Sequence, residues 1–454
     1  MRWKDEAVLP AGAGRADRPK KGDRDVTTTA MDRMPLDDIN LSDFEFWAQP
    51  YSVREAAFRT LRAERPIAFY QEPELPDTAI PLTKGPGYYA ITRHADITEI
   101  SRHPELYCSG KSGTTILDMP VEFLEFLGSM INMDDPRHSR LRRIVSASFN
   151  PRMVKDLEDS VQRIAAQIVD EAIAAGGGDF VPMVAARLPL KIICDMMGVP
   201  ESQYDTVLQA TNILLGGGDE EFFPLDQDPT LLLMSAITSL NALMDELATS
   251  RMEHPTDDLT SALLHANVDG EALTHSELCS FFLLLLVAGN ETTRTAINHG
   301  LLALTEQPEQ RAAWLADIDG VTPTAVEEIV RWASPVIFMR RTVTQPTVLS
   351  GHEFTTDDKV IIFYNSANRD EDVFEDPYDF DVRRSPNPHI GFGAAGPHFC
   401  LGAHLARREI SVMFRELLTR APGIRAVSPP DQLKSNFING IKHLEFDLGG
   451  IGTS

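Results

Sequence analysis

One long segment, Thr274–Thr305, constrains the fold more than any other part of the chain. Its residues follow a helical pattern, with an uninterrupted apolar run from Phe281 to Ala288 and polar residues on either side. A helix with apolar residues all round is stable only when protein surrounds it. The run is far shorter than the roughly 20 residues that cross a bilayer. The sequence therefore predicts a helix that runs through the core of a large domain.

The rest of the chain is predicted to be mainly α with small β-sheets. The residues of Pro151–Ala175 have helical spacing and are followed by the helix-terminating triplet Gly176-Gly177-Gly178. Short extended segments are predicted at Tyr88–Thr92, Thr342–Leu349 and Lys359–Tyr364, with a turn at Ser350-Gly351-His352 between the last two.

Residues 1–35 are rich in Gly, Pro, Ala and charge without periodicity, which predicts a disordered N-terminal tail. No linker-like break or internal repeat interrupts residues 36–454, so a single domain is predicted there.

The formal net charge is −25, which opposes binding to nucleic acid or to anionic lipid. Four scattered cysteines and the lack of a signal-like or transmembrane segment lead us to expect a cytoplasmic protein.

A glycine-rich loop carries the most distinctive chemistry. Residues 391–402 read GFGAAGPHFCLG and directly precede a helical pattern at Ala403–Leu418. Backbone N–H groups and the positive end of a helix dipole would stabilise the thiolate of Cys400, which could then bind iron or act as a nucleophile. The alternative is a buried structural thiol, which is our interpretation of Cys108, Cys194 and Cys279.

Two further sites contain polar residues that need an explanation. The core helix carries Ala288-Gly289-Asn290-Glu291-Thr292-Thr293, where a threonine could bond back to a carbonyl and kink the helix while the acid passes protons. Helix bending without catalysis would explain the same residues. Glu328 and Arg331 stand at i, i+3 on a helix predicted to begin near Thr324; alone, such a pair is typical of a solvated face.

Together, in this order and spacing, the three sites resemble the signature of the cytochrome P-450 superfamily, the haem-thiolate monooxygenases. Ala288–Thr293 match A-G-x-[DE]-T-[TS], and Glu328 and Arg331 match E-x-x-R. The loop F-G-x-G-x-H-x-C-x-G is matched at Gly396, His398, Cys400 and Gly402, but Phe392 stands eight residues before the cysteine instead of seven. The resemblance extends from about Leu41 to the C-terminus and implies one haem-thiolate domain over residues 36–454 with the cytochrome P-450 fold.

The resemblance implies a role for each matching residue. Cys400 would be the axial ligand of the iron of haem b, and Thr292 and Glu291 would be catalytic, hydrogen-bonding dioxygen and feeding protons from solvent. Glu328, Arg331 and Arg384 would be structural. The expected haem contacts comprise propionate-binding residues (His138, Arg142, Arg341 and His398) and residues of the core helix and the loop (Ala288, Gly289, Phe392 and Gly402).

Five segments resemble one branch of the family, the actinobacterial enzymes that hydroxylate methyl-branched lipids at the terminal carbon: 128–142, 188–200, 287–300, 323–342 and 436–446. The resemblance implies terminal (omega) hydroxylation of methyl-branched lipids, isoprenoids or fatty acids with O2. The alternatives are terminal hydroxylation of a steroid side chain, as in a sister group acting on cholesterol and cholestenone, and a non-catalytic haem protein that senses a ligand.

An apolar pocket is expected by resemblance from Ile116, Phe123, Leu285, Ala288, Val336, Phe338 and Phe437, although such residues are more often simply core. Electrons are expected from a separate ferredoxin with its ferredoxin reductase. Four arginines are expected to form a basic docking patch on the thiolate side of the haem: Arg140, Arg143, Arg407 and Arg408.

Overall fold

The computed structural model of the protein describes residues 33–73, 84–118, 129–148, 151–216, 218–267 and 270–449. Phe123 and nearly all of the predicted tail lie outside these ranges. The described chain is mainly α with small sheets, which confirms the predicted fold class. The α-helices are α1 Phe44–Trp47, α2 Tyr51–Glu64, α3 His94–Arg102, α4 Arg137–Ser148, α5 Pro151–Ala175, α6 Arg187–Met197, α7 Tyr204–Leu215, α8 Pro229–Glu253, α9 Leu259–Leu264, α10 His275–Glu306, α11 Pro308–Ala316, α12 Ile318–Ala333, α13 Tyr364–Ala367 and α14 Ala403–Arg420.

The central helix is α10, as the apolar run predicts. Thr274 caps it: the Thr274 hydroxyl accepts a hydrogen bond from the Glu277 N–H, and the Glu277 carboxylate accepts one from the Thr274 N–H. The helix packs against α6, α7, α8, α12 and α14. Phe281, Phe282 and Leu286 are buried in one apolar cluster, whereas the C-terminal half of the helix lies in a second cluster with α12 and α14.

The strands are β1 Ile67–Tyr70, β2 Tyr88–Ile91, β3 Tyr107–Cys108, β4 Gly177–Asp179, β5 Phe338–Val343, β6 Thr347–Leu349, β7 His352–Phe354, β8 Lys359–Phe363, β9 Arg425–Ala426, β10 Asp431–Gln432, β11 Ile441–His443 and β12 Glu445–Asp447. The largest sheet has the order β1-β2-β8-β5-β3. Only the β2–β8 pairing in that sheet is parallel among the described strands. Side chains alternate across β5, so the neighbouring residues Arg340 and Arg341 lie on opposite faces.

Three details differ from the sequence predictions. The segment Thr342–Leu349 is divided between β5 and β6. The turn at Ser350 and Gly351, both with positive φ, closes a hairpin between β6 and β7, and β7 was not predicted. Helix α12 begins at Ile318 instead of near Thr324, because the Asp317 side chain accepts a hydrogen bond from the Gly320 N–H (2.9 Å) and caps an earlier first turn.

Helix α8 is long and apolar enough to cross a membrane by length and composition alone. One face of it nevertheless packs into the protein: Leu240, Leu243 and Met244 are buried with residues of α7, α9 and α10. The opposite face carries exposed acidic residues such as Asp245 and Glu246. This two-sided pattern is typical of a surface helix packed on a globular core.

Candidate functional site

The glycine-rich loop presents Cys400 immediately before α14. The Cys400 N–H donates to the Phe392 carbonyl oxygen (2.9 Å), and the Gly393 N–H donates to that of Ile390 (2.9 Å). Gly393 has a φ of +86°, a conformation that glycine adopts without strain and that accommodates the additional loop residue. A Cβ at Gly396 would lie 2.2 Å from the Ser101 carbonyl oxygen, so that glycine is required by a close backbone approach.

The Cys400 side chain is exposed, yet it has enough protein around it for burial to raise the pKa of its thiol above the usual value. A backbone hydrogen bond from Gly402 and the positive charges of Arg142 and Arg407 act in the opposite direction but do not compensate. Within the protein alone, burial therefore works against the thiolate that the sequence predicts, whereas the Gly402 hydrogen bond and the two arginines favour it. A bound metal ion would add positive charge that favours the thiolate, since metal coordination deprotonates a thiol.

A cluster of positively charged and histidine side chains lies beside this loop. The rings of His138 and His398 have centroids 4.3 Å apart, and Arg142 Nη2 donates to the Phe399 carbonyl oxygen (2.7 Å). Arg341 joins them from β5 and is itself buried. Burial lowers the pKa of His398 to about 3, and the charges of Arg341, His138 and Arg142 add to this effect.

This cluster fits the two carboxylates of haem. Burial and then the charge of Arg142 lower the pKa of His138, whose Nε2 is buried without a hydrogen-bond partner in the described structure. The acids near His138 are Asp134, which is half-buried, and Asp135, at the exposed edge, which lies 3.8 Å from Nδ1. A Cβ at Gly402 would meet no protein atom within 4 Å, so the fold itself does not require glycine there. The cluster therefore lacks buried anions, and propionates would supply them.

The polar segment of α10 is the second part of the candidate site. The Thr292 hydroxyl donates to the Ala288 carbonyl oxygen (2.8 Å), which is the back-bond that the sequence predicts. Ala288 is exposed and Thr292 half-buried. A Cβ at Gly289 would instead lie 3.1 Å from Ile193 Cδ1. The Cβ position of Gly289 thus faces α6, because successive helical residues point about 100° apart; the contact of Gly289 with the cofactor stays a prediction.

Glu291 is buried and forms an ion pair with Arg294, one turn further along α10. Arg294 Nη1 also donates to Asn212 Oδ1 on α7 (2.9 Å). The carboxyl group thus has no direct contact with solvent, in contrast to the simplest form of the predicted proton path. Sequence reasoning missed Arg294 and Asn212; the i, i+3 spacing of Glu291 and Arg294 was the available signal.

Glu328 and Arg331 form a buried bidentate ion pair with N–O distances of 2.7 Å. Arg384 Nε lies 3.1 Å from both carboxylate oxygens of Glu328, and Arg331 also donates to the backbone carbonyls of Asn368 (2.9 Å) and Pro377 (2.8 Å). The structure brings the three predicted structural residues into one network. Its backbone contacts tie α12 to the segment that leads to the cysteine loop.

An adjacent network was not predicted. Arg407 donates to both carboxylate oxygens of Glu327 (2.6 and 2.9 Å), and His389 Nε2 lies 2.9 Å from Glu327 Oε2. Burial alone would raise the pKa of Glu327, but the hydrogen bonds from His389 and Arg407 outweigh it and lower the pKa to about 2. The Arg407 guanidinium also lies 4.4 Å from the Phe392 ring centroid. These contacts link α12 and α14 and show how Phe392 packs in the longer loop.

The four arginines predicted to dock a redox partner differ in their surroundings. Arg140 pairs with Glu277 (2.9 Å), Arg143 pairs with Glu271 (2.8 Å) and Arg407 pairs with Glu327. Arg408 is exposed, and no hydrogen bond or ion pair is found for it in the described structure. The chain's own acids thus neutralise much of the predicted basic patch, and Arg408 is the member of the four without an acidic partner in the described structure.

The predicted pocket residues fall into two groups. Ile116 and Phe338 are buried in the cluster formed by the largest sheet and the N-terminal helices, and the Phe437 ring packs on Phe338 with centroids 5.4 Å apart. Val336 pairs with Ile438 in an isolated β-bridge. Leu285, like Ala288 on α10, is incompletely buried. Ile116 and Phe338 contribute mainly to the core, whereas Leu285, Ala288, Val336 and Phe437 retain accessible surface.

Comparisons with known protein families and sequences are consistent with the residues found in this site. Residues 191–433 match the sequence model of the cytochrome P-450 family. The chain is 48% identical over 422 residues to the methyl-branched lipid omega-hydroxylase of Mycobacterium tuberculosis, covering 92% of this chain and 96% of that protein. It is 40% identical over 370 residues to the steroid C26-monooxygenase of Mycolicibacterium smegmatis, covering 81% of this chain and 84% of that protein.

Among solved structures, a Mycobacterium marinum cytochrome P-450 in complex with pseudoionone superposes with a TM-score of 0.85. It is 44% identical to this chain, and the match covers 91% of this chain and 99% of that one. A cysteine on a glycine-rich loop, a cationic cluster for two carboxylates and a central helix with a threonine bonded back to a carbonyl define a haem-thiolate protein. The chain belongs to the cytochrome P-450 family, and it is a monooxygenase whose cofactor is haem b.

Proposed function

We propose that the protein hydroxylates the terminal (omega) carbon of methyl-branched lipids, including isoprenoids and fatty acids, with O2 and with electrons from a ferredoxin and its ferredoxin reductase. The observation that carries this proposal is the 48% identity over 92% of the chain to a methyl-branched lipid omega-hydroxylase. The match to steroid C26-monooxygenase is lower in identity and in coverage. We place this activity in one domain, residues 36–454, of a cytoplasmic protein.

Haem b, when bound, supplies the activation of dioxygen. The sulfur of Cys400 would hold its iron, and His138, Arg142, Arg341 and His398 would hold its propionates. The two arginines would carry the positive charge, and each histidine would donate a ring N–H. The chain's part in the reaction is to orient the substrate, exclude water and time the delivery of protons.

Thr292 and Glu291 would deliver protons. The Thr292 hydroxyl points along α10 to the Ala288 carbonyl oxygen, so it is held at the exposed part of the helix. Glu291 is buried and paired with Arg294, so proton transfer from solvent requires either a water within the pair or a transient separation of the two side chains. This arrangement also favours a catalytic function and not a ligand-sensing one, because a sensor does not need a buried acid beside the threonine.

The substrate would be held by apolar contacts. Val336, Phe437 and Leu285 supply accessible apolar surface, and Ala288 gives a small side chain at the same part of α10. Terminal methyl C–H bonds are stronger than methylene C–H bonds, so regiochemistry depends on holding the methyl end at the reacting position. A pocket that the lipid enters with its methyl end first would favour hydroxylation of the terminal carbon.

Substrate titration of the purified holoenzyme tests the proposal. Phytanic acid, geranylgeraniol and cholestenone would each be added while the haem spin state is followed by absorbance. We expect the two branched lipids to shift the spectrum to the high-spin form at lower concentration than cholestenone. A shift with cholestenone alone would reject the lipid assignment in favour of the steroid alternative.

A further inference from the structure

A second cluster of chemically reactive side chains lies outside the haem site, where α8 meets the first turns of α10. Asp245 projects from α8, and His275 and Cys279 stand at i, i+4 on α10, so they share one face of that helix. The two helices are held in register by packing that includes the buried residues Met244 and Leu278. The three side chains therefore meet on a fixed scaffold.

The ligand atoms of this cluster have nearly the spacing of a tetrahedral metal site. His275 Nε2 lies 2.9 Å from Asp245 Oδ1. Cys279 Sγ lies 3.8 Å from His275 Nε2 and 3.9 Å from Asp245 Oδ1. Tetrahedral Zn²⁺ with Zn–N and Zn–O distances of about 2.0 Å and a Zn–S distance of about 2.3 Å needs ligand separations of roughly 3.3–3.6 Å. Movements of a few tenths of an ångström would bring the three atoms to those separations.

From this geometry we propose that Asp245, His275 and Cys279 bind one Zn²⁺ ion, with a water molecule as the fourth ligand. A cysteine and a histidine with one carboxylate suit zinc and do not suit the hard cations Mg²⁺ and Ca²⁺, which prefer oxygen. On binding, the Cys279 thiol forms a Zn–S bond and releases its proton to solvent. The ion bridges α8 to α10 beside a cleft of about 450 Å³, whose lining includes Asp245, His275 and Leu273.

A second candidate cluster provides an internal comparison. Glu221, Asp431 and His443 also bring potential ligand atoms together, but Lys442 Nζ already lies 3.3 Å from Glu221 and 3.5 Å from Asp431. The ammonium group supplies the positive charge that a metal would bring. No lysine or arginine is paired with Asp245, His275 or Cys279 in the described structure. The α8–α10 cluster is therefore the better site for an ion.

Equilibrium dialysis of the haem-loaded full chain, free of any affinity tag, tests the proposal. The protein is dialysed against micromolar ZnCl₂ with excess MgCl₂, and zinc per chain is measured by elemental analysis. We expect one Zn²⁺ per chain in the wild type and at least tenfold weaker binding in Cys279→Ser and His275→Ala. Cys108→Ser, which removes another half-buried cysteine, should bind as the wild type does, and so should His443→Ala.

Alkylation of Cys279 gives a second measurement, with an unchanged haem spectrum showing that each variant is folded. Zinc should slow the reaction of Cys279 with iodoacetamide in the wild type and not in His275→Ala. The proposal is overturned if the wild type binds no zinc, if Cys279→Ser binds it equally well, or if His443→Ala removes the binding. It is also overturned if zinc leaves the alkylation rate of the wild type unchanged.

Discussion

The Thr292 hydroxyl donates its hydrogen bond to the Ala288 carbonyl oxygen, one turn earlier on α10. The bond holds the side chain against Ala288, an exposed residue in the middle of α10. The Thr292 hydroxyl can turn its O–H bond from the Ala288 carbonyl oxygen to an oxygen atom of a substrate. The side-chain rotamer does not have to change.

Replacement of Thr292 by Ala should therefore uncouple the reaction. We expect NAD(P)H consumption to continue while hydroxylated product per NAD(P)H falls by about tenfold to 100-fold and peroxide accumulates, in line with the loss of one acid–base group. The measurement is product, peroxide and NAD(P)H in the same reaction. Thr292→Ser, which keeps the hydroxyl, should retain most of the coupling; unchanged coupling in Thr292→Ala would remove Thr292 from the mechanism.

Loss of Arg331 should destabilise the fold far more than loss of an arginine from an ion pair at the surface. Arg331→Ala leaves the Glu328 carboxylate buried with only part of its hydrogen bonds, which costs about 3–5 kcal/mol of the free energy of unfolding. Arg420→Ala is the matched control, because its partners Asp170 and Glu416 lie nearer the surface and such pairs contribute about 0–1 kcal/mol. Urea unfolding followed by far-UV circular dichroism measures both, and equal losses would contradict the structural role of the buried pair.

The Glu327 network predicts a dependence of stability on pH. The folded pKa of Glu327, about 2, lies below its usual value of 4.5, so its contribution to stability is present above pH 4.5 and is lost as pH falls toward 2. Glu327→Gln should cost about 2 kcal/mol at pH 7. The difference from the wild type should shrink as urea unfolding is repeated down to pH 3.5. A difference that stays constant or grows would mean that the ion pairs do not lower the pKa.

Substitutions of two loop glycines should distinguish an effect on folding from an effect on haem binding. Gly396→Ala places a Cβ against the Ser101 carbonyl oxygen and should destabilise the protein by at least about 1–3 kcal/mol through overpacking. Gly402→Ala meets no protein atom, so the apoprotein should be as stable as the wild type while haem affinity falls. Thermal unfolding of apoprotein and haem titration distinguish the two effects, and an apoprotein destabilised by Gly402→Ala would show that the fold requires that glycine.

Arg408 should be the main electrostatic contact for the redox partner. Arg408→Glu is expected to slow reduction by ferredoxin about tenfold at low salt and to reduce the dependence of the rate on ionic strength. Substrate affinity should be unchanged. Arg415→Glu, on the same helix and paired with Asp319, is the control. If stopped-flow reduction is equally slow in both variants, overall charge and not a docking position controls the rate.

The sequence was most informative where a local pattern has one physical solution. The apolar run at Phe281–Ala288 can be buried only in a core, and a triplet of glycines ends α5 where predicted. The back-bond of Thr292 is also a local consequence, since donor and acceptor lie one helical turn apart.

Contacts between distant segments could not be predicted in the same way. Nothing near Arg407 in the sequence indicates that Glu327 will neutralise it, and nothing near Arg140 indicates Glu277. The fold decides which acids and bases meet. For the same reason, the pKa of Cys400 depends on how much protein surrounds the sulfur, which the glycine pattern alone did not show.

The position of the hydroxyl group in the product tests the central proposal most directly. Wild-type enzyme, reconstituted with a ferredoxin, its reductase and NAD(P)H, would be given a methyl-branched fatty acid, and the product would be identified by mass spectrometry and NMR. We expect the hydroxyl group on a terminal methyl carbon. A product hydroxylated mainly within the chain, or turnover of cholestenone with none of the branched acid, would contradict the proposed function.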